Sequence, residues 1–185
     1  MGPEREWWLG GGADPGPALK GAQRRFRGMG EGMTRGNGSE APCRAAEALL
    51  EVFVAGVPRP QGSKRHVGRG ILIEASREVG PWREAIAAAV LGAGVKRQEG
   101  PVAVELVFLF DRPKAHYGAK GLKEGAPKWK ASRPDVDKLS RAVLDALVPV
   151  VLRDDALVVR LVAEKRWAEE GERPGVLVRI LAVRG

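Results

Sequence analysis

The sequence predicts an α/β protein of the α+β kind, with a small mixed β-sheet of about four to five strands, two main helices and a disordered N-terminal arm. Several short apolar segments have the period or composition of strands, and two segments repeat apolar residues at helical spacing. The first 45 residues show neither pattern. The chain has 185 residues, 44% of them hydrophobic, which is enough for one folded domain, placed at 46–185.

Residues 1–45 are rich in Gly, Pro and Arg and contain no sustained apolar period. Such a segment buries too little apolar surface to offset the entropy of ordering it, so we expect a disordered arm. The arm either holds nucleic acid loosely through its arginines or is a non-functional extension ahead of an internal start such as Met33.

The folded region is expected to begin with a short strand at 51–56, which ends at a loop rich in Pro and Gly. A helix then starts at Pro81, a residue favoured in the first helical turn, and closes at Gly92 and Gly94. The spacing of its apolar residues predicts one buried face, made of Trp82, Ile86, Ala89 and Val90.

Residues 102–110 predict a well-buried strand, because Glu105 is the only charge among large apolar residues. A second helix is expected over 135–147, with a buried stripe of Val136, Leu139, Val143 and Ala146 or Leu147. Two further strands, 156–167 and 176–183, are separated by a turn at 171–174 and are predicted to form a hairpin.

The segment 111–133 is rich in Gly, Pro and Lys and is long for a loop inside a compact domain. Such loops are usually functional or disordered. Seven basic residues stand against two acidic ones here, so five of the chain's eight excess positive charges lie in this segment.

The whole chain is basic, with 31 Lys and Arg against 23 Asp and Glu and a net charge of +8. This balance favours a polyanionic partner, although a basic bias of the source proteome would produce the same charge. The single cysteine, Cys43, excludes an internal disulfide framework and indicates a reducing compartment, the cytoplasm. No segment has the roughly 20 apolar residues that span a bilayer, so no membrane partner is expected.

Four carboxylates are concentrated in a short part of this basic chain: Asp135 and Asp137 at the predicted helix start, and Asp154 and Asp155 before the next strand. Phosphodiester hydrolysis uses a hard divalent cation, and Mg²⁺ is held by carboxylates together with waters and phosphate oxygens. A helix that begins just after Pro134 allows the first two carboxylates to face one point. The alternative is that Asp135 caps the helix and Asp137 complements its dipole.

Arg141 lies one turn after Asp137 on the same helix face. It either forms a solvated ion pair with Asp137 or stabilises the charge that develops on a phosphate in the transition state. Asp145 continues this face and either supports the metal-binding residues from behind or is an exposed helical Asp, which is the simpler interpretation. Lys165 lies in the next predicted strand, but a restriction-enzyme-like nuclease would need an acidic residue at Ala163, so that class is disfavoured.

Two segments resemble the RusA family of crossover-junction endodeoxyribonucleases, which is common in phages and prophages: RPDVDKLSRAVLDAL at 133–147 and RDDALVV at 153–159. The segment FVAGVPRPQGSK at 53–64 is similar to that family's first strand and loop. The resemblance covers about residues 51–183. It implies a RusA-like homodimer that uses Mg²⁺, or Mn²⁺ as a substitute, to nick opposing strands of a four-way (Holliday) junction in DNA recombination or repair.

By motif position the resemblance implies metal-binding carboxylates at Asp135, Asp137 and Asp155, with Asp154 beside them, and a catalytic basic residue at Arg141. Two positions depart from the family pattern: Lys138 stands where Asn is usual, and Arg141 where Lys is usual. Arginine keeps the positive charge but does not lose a proton, which favours electrostatic stabilisation over a general acid or base role.

Lysines and arginines bind backbone phosphates with release of counterions, so affinity should fall steeply with salt. Trp129 is a candidate for stacking on bases exposed at a junction, or it packs on the base of its own loop. The residues expected to contact DNA are Lys64, Arg65, Arg112, Lys114, Lys120, Lys123, Lys128, Trp129, Lys130, Arg133 and Lys138.

Two other functions fit the same residues. One is a non-catalytic basic DNA- or RNA-binding module, whose carboxylates cap a helix and border a turn and whose binding needs no Mg²⁺. The other is a nuclease for flaps or replication forks, which shares the chemistry but not the symmetric substrate.

Overall fold

The computed structural model describes residues 48–62, 64–66, 72–74 and 78–183, with the backbone alone at 64–66 and 72–74. The arm predicted at 1–45 lies outside these ranges, as do the first two and last two residues of the domain predicted at 46–185. The described residues form a mixed α+β structure in which two helices and a four-stranded sheet share one core, as predicted.

The main sheet has four strands: β1 (Ala48–Ala55), β4 (Val102–Phe110), β7 (Val158–Trp167) and β8 (Gly175–Ala182). Their order in the sheet is β1-β8-β4-β7. β8 is antiparallel to both of its neighbours, and β7 is parallel to β4 at the sheet edge.

The predicted hairpin between the last two strands is wrong, because β4 lies between β7 and β8. Nearly every residue of β4 is buried, on both faces of the sheet. A strand that is apolar on both faces gains most from a central position, and β4 takes that position by separating β7 from β8. Since β7 and β8 both flank β4, the connection between them spans β4.

Two helices pack on each other and on the sheet: α1 (Val79–Gly92) and α2 (Val136–Leu147). The predicted stripes largely form the core, with Val136 and Ala89 only partly buried. None of the helices in the described part of the chain combines the length and apolar character that crossing a bilayer requires. The core side chains include Trp82, Ile86 and Val90 from α1, Leu139, Val143 and Leu147 from α2, and Val104, Leu106 and Phe108 from β4.

The long segment 111–133 has regular structure that its composition did not predict. It contains a 3-10 helix (Lys114–His116) and a small antiparallel pair, β5 (Tyr117–Gly118) with β6 (Gly121–Leu122). A second small antiparallel pair joins β2 (Lys64–His66) to β3 (Leu72–Glu74). Asp155–Leu157 forms another 3-10 helix, so the strand predicted from residue 156 begins at Val158.

Candidate active site

An open groove of about 390 Å³ is lined by one face of α2, by the start of the segment leading into β7, and by β7 itself. The α2 residues that line it come in neighbouring pairs one turn apart, as expected of a single helix face. The lining residues are Val136, Asp137, Ser140, Arg141, Leu144 and Asp145 from α2, Asp155 from the 3-10 helix, and Leu161 and Ala163 from β7.

The groove brings together three of the four residues proposed as catalytic: Asp137, Arg141 and Asp155. All three are exposed. Within the described part of the chain, Asp137 and Arg141 form no ion pair, with each other or with another residue, although they are one helical turn apart. These two carboxylates and this guanidinium therefore face the same space. The third carboxylate that lines the groove, Asp145, accepts a hydrogen bond from the guanidinium of Arg83 at 2.8 Å.

Asp135 lies at the N-cap position of α2, but its side chain makes no capping hydrogen bond. Its Oδ2 instead accepts a hydrogen bond from Lys138 Nζ at 2.9 Å. The hydrogen bond and the charge of Lys138 lower the pKa of Asp135, and the same contact raises the pKa of Lys138. Asp135 is thus held ionised beside the groove but is not among the residues that line it.

Asp154 precedes the 3-10 helix and caps it, since its Oδ1 accepts a hydrogen bond from the backbone N–H of Ala156 at 2.8 Å. This backbone hydrogen bond is the largest cause of the lowered pKa of Asp154. The cap fixes the turn from which the neighbouring Asp155 reaches the groove.

The donors present suit a hard cation. No three His, Cys, Asp or Glu side chains cluster as a metal site in the portion of the chain that the structure describes. Mg²⁺ does not require such a cluster, because it usually keeps several waters and binds one or two carboxylates together with substrate phosphates. Asp137 and Asp155 supply two exposed carboxylates in one groove, which fits that mode of binding.

The turn before α2 is held by two lysines. Lys130 Nζ donates to the Ser132 hydroxyl at 2.9 Å and to the carbonyl oxygen of Arg133. Lys165 Nζ donates to the carbonyl oxygens of Ser132 at 2.8 Å and Pro134 at 2.5 Å. The position of Lys165 in the strand pattern was noted in the sequence, but main-chain acceptors have no side-chain signature, so neither contact was predicted.

The residues proposed to contact DNA fall into three groups. Arg112 is partly buried and donates to the carbonyl oxygens of Ala168 and Pro127, and Lys130 is only 8% exposed, so both hold the protein's own main chain. The side chains of Lys64 and Arg65 lie outside the described residues. The remaining side chains are exposed: Lys114, Lys120, Lys123, Lys128, Trp129, Arg133 and Lys138.

Trp129 is the base-stacking candidate, and the residue is 50% exposed. Lys128 Nζ lies 4.7 Å from the centre of that ring, a cation–π distance. The backbone of Trp129 forms a β-bridge with Arg166 at the edge of β7, which holds this part of the basic segment next to the sheet. The indole therefore presents a partly free face from a fixed backbone.

The similarity of this chain to known proteins includes the residues that line the groove. The match to the family described as Endodeoxyribonuclease RusA covers residues 55–181, which include the whole groove. An uncharacterized protein of Bacillus subtilis (strain 168), YqaN, is 35% identical over 83 residues, or 43% of this chain. The matched part is 58% of the length of that relative. By the extent of the family match, the chain belongs to the RusA family of endodeoxyribonucleases.

Proposed function

We propose that this protein is a Mg²⁺-dependent, structure-selective endodeoxyribonuclease that resolves four-way (Holliday) DNA junctions by paired nicks. The observation that carries the proposal is the groove in which Asp137, Arg141 and Asp155 meet, in a chain of an endonuclease family. The family comparison supports the nuclease chemistry. The preference for a four-way junction and the dependence on Mg²⁺ are our proposal.

Asp137 and Asp155 would hold the cation, with Asp135 and Asp154 beside them. When bound, Mg²⁺, or Mn²⁺ in its place, supplies Lewis-acid polarisation of the phosphodiester and a water of lowered pKa. Arg141 faces the same groove and stabilises the negative charge that grows on the phosphate during attack. Because a guanidinium keeps its proton, Arg141 acts through charge and not through proton transfer.

The exposed basic residues of 111–133 would bind the backbone of the junction arms, and Trp129 would stack on bases at the crossover. A four-way junction has two-fold symmetry, so a homodimer would present one groove to each of two opposing strands. We expect sedimentation velocity of the full chain to show a dimer. We further propose that the protein acts on DNA in the cytoplasm.

The decisive test replaces Asp137 or Asp155 by Asn, which keeps the shape of the side chain and removes its charge. Cleavage of a mobile junction in Mg²⁺ should fall by at least about 100-fold, since a bound metal contributes several kcal/mol to phosphoryl chemistry. Junction binding in EDTA should persist. Asp111→Asn, at an exposed carboxylate outside the groove, is the matched control and should cleave normally.

Retained cleavage by both groove variants would reject the assignment. Products mapped strand by strand on junction, fork and flap DNAs distinguish a resolvase, which nicks opposing strands in pairs, from a flap or fork nuclease. A wild-type protein that binds DNA without Mg²⁺ and cleaves none of these substrates would be the non-catalytic module.

A further inference from the structure

Two ammonium groups meet at three consecutive residues of the main chain, immediately before the helix that carries Asp135 and Asp137. Lys165 Nζ donates to the carbonyl oxygens of Ser132 and Pro134, at 2.8 and 2.5 Å. Lys130 Nζ donates to the carbonyl oxygen of Arg133, to the Ser132 hydroxyl at 2.9 Å, and at 3.4 Å to the Ser132 carbonyl oxygen. Every carbonyl of 132–134 therefore accepts a hydrogen bond from a lysine.

The burial of Lys130 shows that this arrangement is a built part of the fold. Its side chain is 8% exposed, and Nζ lies 5.0 Å from the centre of the Phe110 ring and 4.9 Å from that of Trp167. Removing an ammonium from water is costly unless it gains hydrogen bonds and cation–π contacts, and Lys130 has both. Burial and the nearby charge of Lys165 lower the pKa of Lys130.

Lys165 also connects the two halves of the groove. It lies in β7, two residues beyond the groove-lining Ala163, and the 3-10 helix bearing Asp155 directly precedes the same strand. Its contacts with Ser132 and Pro134 attach the approach to α2 to this strand. Lys165 thus links the start of α2, beside Asp135 and Asp137, to the strand that follows Asp155.

We propose that Lys165, assisted by Lys130, is a positioning residue that fixes the main chain at 132–134 and so sets where Asp135 and Asp137 stand relative to Asp155. This role rests on the proposed metal-dependent nuclease function. The positions of the carboxylates matter because two of them must share one cation. Groups that orient metal ligands typically alter metal affinity or activity by roughly 10–100-fold when removed. We assign both lysines to the main chain and not to phosphate, because both direct donors at carbonyl oxygens of the protein.

The test compares Lys165→Met, which keeps the length of the side chain and removes its donors, with Lys96→Met at an exposed lysine that does not line the groove. Three measurements are made on the full-length protein: Mg²⁺ affinity by calorimetry, junction binding in EDTA, and hydrogen exchange of the backbone at 132–139. Lys165→Met should weaken Mg²⁺ binding by roughly 10–100-fold and speed exchange at 132–139, with junction binding unchanged. Lys165→Arg, which retains charge and donors, should recover part of the affinity, and Lys96→Met should match wild type.

Unchanged Mg²⁺ affinity and unchanged exchange at 132–139 in Lys165→Met would overturn the proposal. So would a loss of junction binding in EDTA as large as the loss of cleavage, because that result would make Lys165 a DNA contact. If Lys165→Met does not fold, Lys165→Gln is measured in the same way and judged by the same results. Wild-type protein that takes up no Mg²⁺ would reject the nuclease function, whereas the exchange measurement would still test whether Lys165 holds this turn.

Discussion

Arg141 is the cationic side chain of the groove, and its chemistry constrains what the site can do. It is exposed and has no ion pair among the described residues, so its guanidinium is available to a phosphate. A guanidinium presents a planar fork of donors that matches two phosphate oxygens, whereas an ammonium is a point charge. We therefore assign it a role in stabilising charge in the transition state.

Removing the charge at this position should slow cleavage without loss of DNA binding. Arg141→Met is expected to lower kcat by about 100- to 1000-fold, the usual cost of losing one preorganised donor to a developing negative charge. Arg141→Lys should retain part of the activity because the charge remains. Single-turnover cleavage and junction binding in EDTA measure the two effects, and equal losses in both would contradict the assignment.

The Asp135–Lys138 pair should give a defined pH dependence. The lowered pKa of Asp135 contributes stability that is present above the usual value of 3.8 and is lost as pH falls through the folded-state value. The raised pKa of Lys138 contributes stability that is present below 10.5 and is lost as pH rises through its folded-state value. Because both side chains are about half exposed, solvent screening keeps the contribution small.

Lys138→Ala should therefore raise the pKa of Asp135, as measured by NMR titration of its carboxyl carbon. The control Lys96→Ala should leave that titration unchanged. A pKa of Asp135 that does not move in Lys138→Ala would show that the ion pair does not form in solution.

At the scale of elements, the connection between β7 and β8 is held by a buried ion pair. Arg166 is fully buried and donates to both carboxylate oxygens of Glu172, at 2.5 and 2.7 Å. Glu172 also accepts a hydrogen bond from the backbone N–H of Glu169 at 2.8 Å. The pair stabilises a connection that must span β4, and it holds the end of β7 from which Lys165 reaches the turn before α2.

Removing one member of this pair should destabilise the domain strongly. Glu172→Ala leaves the guanidinium of Arg166 buried without its carboxylate, and such losses cost about 3–5 kcal/mol. Glu170→Ala, at an exposed neighbour, should have little effect. Urea unfolding followed by circular dichroism measures the difference. Equal midpoints for the two variants would contradict the proposed role of the pair.

At the scale of the whole molecule, the fold places the most basic segment of the chain directly before the helix that lines the groove. The chain carries a net charge of +8, and exposed lysines are concentrated in the segment between β4 and α2. Because this segment leads directly into the turn before α2, phosphates bound along it would lie next to the start of the groove-lining helix. We therefore propose that the same segment supplies both DNA affinity and the approach to the site.

Junction affinity should consequently depend steeply on salt. Each phosphate contact contributes about one unit to the slope of log affinity against log salt, so Lys114→Ala, Lys120→Ala and Lys128→Ala combined should lower the slope by about three. Lys96→Ala with Arg97→Ala, outside the segment, serves as the control. Fluorescence anisotropy in EDTA measures the slopes. The salt concentration is varied from about 50 to about 200 mM, where salt changes DNA affinity strongly. An unchanged slope in the triple variant would place the DNA elsewhere.

Local patterns in the sequence determined most of the elements. The apolar run of β4 and the helical spacing in α1 and α2 predict these elements correctly, because strand and helix periods depend on residues close together in the chain. Pro134 likewise indicated where α2 begins. The family resemblance seen in the motif around Asp135 and Asp137 is confirmed by the family match.

Tertiary structure alone decided how those elements are arranged and which charged side chains are buried against the main chain. The order of strands in a sheet depends on burial of whole faces, so β4 separates β7 from β8 although a short connection suggested a hairpin. Burial and main-chain acceptors, which no local pattern encodes, make Lys130 and Lys165 supports of the turn before α2. The sequence by itself thus determined the family and the candidate carboxylates, whereas packing across distant segments decided that Asp137, Arg141 and Asp155 face one groove.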